Sequence, residues 1–133
     1  RMHAMDLMTV TRKSDMEFSI RVRGHEVTTD MSASDGGGDQ GPSPVELLAG
    51  SLGACIAMTV QGYCRSHGSE GDVEVSLTTE LDDKPKRIAR IVVDVGLPDG
   101  IPDDKTDVIK RVAQRCPIHE TLRNPPGLDI DVV

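Results

Sequence analysis

Residues 43–68 read SPVELLAGSLGACIAMTVQGYCRSHG, and the punctuation of this stretch decides the fold. Ser43 is a good N-cap, Pro44 is tolerated as a first helical residue, and Glu46 stands where the positive end of a helix dipole favours an acid. No proline recurs until well past Gly68; Arg65 and His67 suit the negative end, and Gly68 suits a left-handed cap. The spacing predicts one long helix over 44–67. Its interior is rich in small residues, among them Ala49, Gly50, Gly53, Ala54, Ala57 and Gly62. An interior glycine costs about 1 kcal/mol relative to alanine, so something is expected to pack very close to a central, buried helix.

Working outward, the segment before the helix alternates as strands do. Leu7 and Thr9 oppose Met8 and Val10, and Met16, Phe18, Ile20 and Val22 share one side of a second run. This predicts a hairpin turning at Arg12–Asp15, then a turn at Gly24 and a short strand around Val27. Residues 32–43 (SASDGGGDQGPS) have the composition of a flexible loop and lack a phosphate-binding signature. After the helix, Val73–Leu81 and Ala89–Leu97 alternate around Asp82, Asp83, Lys84 and Pro85, a second hairpin. Pro102 opens a helix carrying Val108, Ile109 and Val112, and Pro117 stops it and restarts a short one. Leu128, Ile130 and Val132 alternate with aspartates as a final strand. Strands, helix, strands, helix and strand indicate an α+β domain with mainly antiparallel sheet, a single domain over 1–133.

Composition narrows the function. Fifteen Lys+Arg against 22 Asp+Glu leave a formal charge of −7, which repels phosphate backbones, and Phe18 and Tyr63 are the only aromatic rings besides histidine. Nucleic acid is therefore not an expected partner. No continuous apolar run approaches the roughly 20 residues of a membrane span, so no membrane association is expected. Arg1–Ala4 are not followed by the apolar core of a secretory signal, and three cysteines, an odd number, suit free thiols in a reducing, cytoplasmic setting.

The cysteines are the candidate chemistry. Cys55 lies mid-helix and, taken alone, is a small buried hydrophobe as readily as a nucleophile. Cys64, nine positions on, points about 180° away and ~13 Å further along the axis, so the two cannot pair within one helix. Cys116 precedes Pro117, which places its sulfur at a helix N-terminus, where free N–H groups lower a thiol pKa. Cys64/His67 and Cys116/His119 share a C-x2-H spacing that zinc could use, though such pairs usually sit on knuckles, and no metal or cofactor is expected. No serine elbow, His-Glu-x-x-His or dinucleotide fingerprint occurs.

Residues 41–63 (GPSPVELLAGSLGACIAMTVQGY), followed by Cys116-Pro117-Ile118-His119-Glu120-Thr121-Leu122, resemble the OsmC/Ohr family of osmotically inducible and organic hydroperoxide resistance proteins. The resemblance implies an intertwined homodimer with an active site at its interface. It further implies that Cys55 is a peroxidatic thiol and Cys116 its resolving partner, reducing organic hydroperoxides to alcohols and recycled by an external dithiol. The family's activating arginine maps to Arg12, with Arg21 and Arg23 as competitors. Dedicated peroxidases of the family carry an acid directly after the proline. Here Val45 holds that place and Glu46 follows, turned nearly opposite Cys55. That pattern resembles the broader OsmC-like branch, whose alternative role is small-molecule binding or thiol redox chemistry without efficient peroxide turnover.

Overall fold

The structure, a computed structural model, describes residues 6–133; the opening segment Arg1–Ala4 lies outside them. The chain divides into two compact units, one up to Leu48 and one from Ala49 onward.

The first unit is a three-stranded antiparallel sheet in sequence order, β1 (Thr9–Ser14), β2 (Glu17–Val22) and β3 (His25–Thr29). The first turn is shorter than the alternation predicts. Asp15 and Met16 make it, and Arg12 lies within β1 opposite Phe18, because a bulge at Lys13 absorbs the extra residue. The second turn is Arg23-Gly24, both with positive φ, the pairing whose twist matches a two-residue hairpin. Register sorts the two faces. One carries Thr11, Ser19, Arg21, Glu26 and Thr28; the other carries Val10, Arg12, Phe18, Ile20 and Val27.

The glycine-rich segment, read from composition as a flexible loop, is folded around one buried carboxylate. Asp30 accepts the N–H groups of Met31 (2.7 Å) and Gln40 (3.1 Å), while the Thr29 hydroxyl donates to the Pro42 carbonyl (2.8 Å). Gly41 is required here: a Cβ would stand 2.6 Å from the Thr28 carbonyl oxygen.

Helix α1 (Pro44–Ser66) starts and stops as its sequence directs. Ser43 and Glu46 form a reciprocal capping box: the Glu46 N–H donates to Ser43 Oγ (3.2 Å), and the Ser43 N–H donates to Glu46 Oε1 (2.9 Å). At the other end Gly68 (φ 85°) sits between the two bonds of a Schellman cap, Ser69 N–H to Cys64 O (2.9 Å) and Gly68 N–H to Arg65 O (3.2 Å). By length and composition α1 could cross a membrane: it has 23 residues and a mean hydropathy of 1.4 over its most apolar window. Counting continuous apolar runs misses this, because glycine, serine and threonine interrupt them. One face of α1 is nonetheless part of a protein core, with Leu52, Ile56, Val60 and Cys64 buried in one stripe.

That stripe belongs to the second unit. It packs with β4 (Glu74–Asp83) and β5 (Lys86–Gly96), an antiparallel pair that turns at Lys84-Pro85 and is bulged at Ala89. Val75, Ile91, Val93 and Val95 lie against the buried cluster. Gly53 is where helix and sheet touch, since a Cβ there would stand 2.6 Å from Leu77 Cδ2. The expected close neighbour is thus found at Gly53, whereas added Cβ atoms at Gly50 and Gly62 would meet open space. A 3-10 turn at Asp103–Lys105 leads into α2 (Thr106–Ala113), which delivers Ile109 to the core, and α3 (Pro117–Arg123) follows. The predicted final strand is not formed. Residues 124–133 contain no strand, and Leu128, Ile130 and Val132 are exposed, because no neighbouring strand of the chain offers them a ladder.

Candidate active site

Cys55 stands midway along α1, off the centre of the buried stripe and only partly buried. Thr59, one turn on, donates its hydroxyl to the Cys55 carbonyl (2.8 Å). The opposing wall is built from the turn after α2. Pro117 at the first position of α3 makes Cys116 the N-cap, and the fully buried Cys116 Sγ accepts the His119 N–H at 3.2 Å. A serine or aspartate oxygen ordinarily fills this role at N3; here a sulfur does.

The fold brings the two thiols together across 61 positions of sequence, close enough for Cys55 to influence the ionisation of Cys116. Both are free thiols. Contrary to expectation, the helix N-terminus does not lower the Cys116 pKa. Burial pushes this thiol up, the neighbouring Cys55 thiol adds to the rise, and the His119 N–H pulls the other way without prevailing. Cys116 therefore keeps its proton, and Cys55 is the partner with access to a reactant. Cys64 is fully buried and its thiol is likewise raised by burial, the setting of an inert packing residue.

Arg12 belongs to the first unit and the two thiols to the second. Among the described residues the Arg12 guanidinium makes no salt bridge or hydrogen bond, unlike its competitors: Arg21 pairs with Glu26 (3.5 Å) and Arg23 with Asp6 (4.0 Å). It is the one arginine on the apolar face of β1–β3. Glu46 is occupied by Ser43, whose N–H and hydroxyl hold its carboxyl below the usual range.

Neither C-x2-H pair is arranged as ligands. His67 stacks on Tyr63 (ring centroids 4.0 Å apart), and its Nδ1 donates to the Tyr63 carbonyl (2.9 Å). Among the described residues no group of three or more His, Cys, Asp or Glu could hold a metal ion. Sequence spacing marks His119 only as half of a C-x2-H pair. Its contact with Cys116 was accessible from capping rules alone, because a proline at N1 leaves the N3 amide facing the N-cap side chain.

Residues 36–131 match the family described as OsmC-like protein. Solved structures with the same fold include a putative osmotic stress induced and detoxification response protein from Psychrobacter arcticus, at 20% identity, 90% coverage of both chains and a TM-score of 0.81. An organic hydroperoxide resistance protein OsmC from Legionella pneumophila aligns at 16% identity over 91% of this chain and 92% of that one, with a TM-score of 0.62. The organic hydroperoxide resistance protein OhrB of Bacillus subtilis aligns at 19% identity over 90% and 92%, with a TM-score of 0.54. No curated protein matches the chain in sequence. With the family match spanning most of its length and the fold shared end to end, this chain belongs to the OsmC-like family.

Proposed function

We propose that the protein is a cytoplasmic, homodimeric thiol peroxidase that reduces organic hydroperoxides. The observation that carries this reading is the asymmetric thiol pair, a partly exposed Cys55 beside a buried, protonated Cys116. Cys55, as thiolate, attacks the terminal oxygen of ROOH. The O–O bond breaks, the alkoxide takes a proton and leaves as ROH, and Cys55 becomes a sulfenic acid. The Cys116 sulfur then attacks the Cys55 sulfur; its proton and the departing hydroxyl leave as water, and a disulfide remains. An external dithiol supplies two electrons and two protons to restore both thiols.

Arg12 stabilises the Cys55 thiolate in this scheme. An unpaired guanidinium on an apolar face is costly once that face is covered, unless an anion meets it. The cover is a second copy of the chain. Met58 is 73% exposed beside the open glycines Gly50 and Gly62, a helix face shaped for close approach and left bare in one chain.

Cumene hydroperoxide is consumed only while a dithiol is supplied. Cys55→Ser drops to the background rate, Cys116→Ser leaves Cys55 prone to over-oxidation, and Arg12→Ala loses kcat/KM where Arg21→Ala does not. Unchanged turnover in Cys55→Ser would end the proposal. The capped Glu46 and Val45 favour a second reading, an OsmC-like binding or thiol-redox protein without efficient turnover. Inactivity toward a panel of hydroperoxides, with Cys55 still alkylated normally, selects that reading.

A further inference from the structure

Within the second unit lies a cavity of about 420 Å³ that contains neither sulfur in its lining. Its volume falls in the range of small-molecule sites, which combine apolar walls with a few placed polar groups. The sides of α1 and β5 supply the apolar walls, with Ile56, Val93 and Val95 among them. Helix α2 and its C-cap residue Gln114 contribute two adjacent stripes at four-residue spacing: Ile109 and Ala113, then Thr106, Lys110 and Gln114.

The polar part of the lining lies at the open rim, where Asp94, Thr106, Lys110 and Gln114 are exposed. Among the described residues Lys110 has no ion-pair partner, and Asp94, the acid that also lines the cavity, does not pair with it. His119 lines the cavity as well, and its Nδ1 is shielded from solvent with no hydrogen-bond partner. That nitrogen is as far out of reach of an occupant as it is of water, so His119 serves the cavity only as wall.

We propose that this cavity binds an amphipathic monocarboxylate, its apolar body among Ile56, Val93 and Ile109 and its carboxylate beside Lys110 and Gln114. The single cation matches one negative charge, and Asp94 opposes a second. The site is distinct from the thiol pair but adjoins it, since the His119 N–H also holds Cys116 Sγ.

Isothermal titration of the reduced full-length protein with decanoate, decan-1-ol and acetate tests this. Decanoate binds saturably, decan-1-ol at least tenfold more weakly, and acetate not at all. Lys110→Gln brings decanoate and decan-1-ol within threefold of each other. Ala113→Phe fills the cavity and weakens decanoate at least tenfold; if that variant does not fold, Lys110→Gln decides alone. Absence of saturable decanoate binding overturns the proposal, as does a preference for decanoate that survives Lys110→Gln. Cys55→Ser must keep decanoate binding while losing peroxide turnover. Loss of both would place decanoate at the thiols and overturn the separate site, whereas binding without turnover in the parent protein leaves it standing.

Discussion

The two compact units hold themselves together by different means. Every buried apolar side chain among the described residues lies from Ala49 onward, where α1, β4, β5 and α2 enclose one cluster. Up to Leu48 the buried residues are Ser19, Thr29 and Asp30, all polar and all hydrogen-bonded. Three strands need an apolar face covered to be stable on their own, and Val10 and Val27 on such a face stand exposed. The unit with a core carries the thiols, and the unit without one carries the unpaired Arg12. Under the homodimer proposal each sheet gains its cover, and each thiol its cation, only on assembly.

Truncation separates the two regimes most widely. Ile56→Ala empties part of the enclosed cluster and is expected to cost about 2–5 kcal/mol in denaturant unfolding. Val27→Ala, at 44% exposure in one chain, would cost under about 0.5 kcal/mol if solvent were its lasting neighbour. Under the homodimer proposal its cost exceeds about 1 kcal/mol, because the residue is then buried against the partner, and it grows as protein concentration falls. A small loss independent of concentration would show that the sheet stays open.

The same contrast marks what the sequence made legible. Features set within one turn of chain could be read. The Ser43 cap, the Gly68 terminator and the Cys116-Pro117 helix start depend on residues three or four positions apart, and the structure has each of them. Features set by distant packing could not. The Gly-rich loop looked unconstrained because its organiser, Asp30, lies before it and acts through a buried carboxylate that composition does not reveal. Alternation at 128–132 describes a strand's faces but cannot supply the neighbour that makes it a strand. The Cys116 pKa went the wrong way for the same reason: dipole and capping amide are local, whereas burial, which prevails, comes from the whole unit.

Glycines of α1 sharpen the comparison at a smaller scale. Gly50→Ala and Gly62→Ala add methyl groups that meet nothing in one chain, so helix propensity alone would stabilise each by about 1 kcal/mol. If the bare face packs on a second copy, both instead weaken the dimer, which sedimentation would read as a raised dissociation constant. Gly53→Ala serves as the control. Its methyl would crowd Leu77 Cδ2, the end of a flexible side chain, inside one unit, so it changes unfolding without changing association.

The smallest effect separates two carboxyls of the first unit, one on the sheet and one at the start of α1, by mechanism rather than size. Glu46 and Glu26 both titrate below the usual carboxyl range, but for different reasons. Hydrogen bonds from Ser43 alone hold Glu46 down, inside one helical turn. For Glu26 the hydrogen bond from Ser19 comes first, and the charges of Arg21 and Lys13 then add to it. A carboxyl lowered on folding stabilises the native state fully above its unfolded pKa, about 4.3, and that contribution is lost as pH falls through the lower folded value. Both therefore give a stability that declines on acidification. Salt distinguishes them, since ions screen exposed charge pairs but leave a local hydrogen bond nearly intact. Carboxyl titration by NMR at low and high salt should move Glu26 toward its unfolded value and leave Glu46 in place. Glu46→Gln, which keeps an acceptor for the Ser43 N–H, should flatten the acid slope that Glu46 contributes. An equal salt response at both carboxyls would mean that charge, not the capping box, sets Glu46, and the local origin of the helix start would have to be given up.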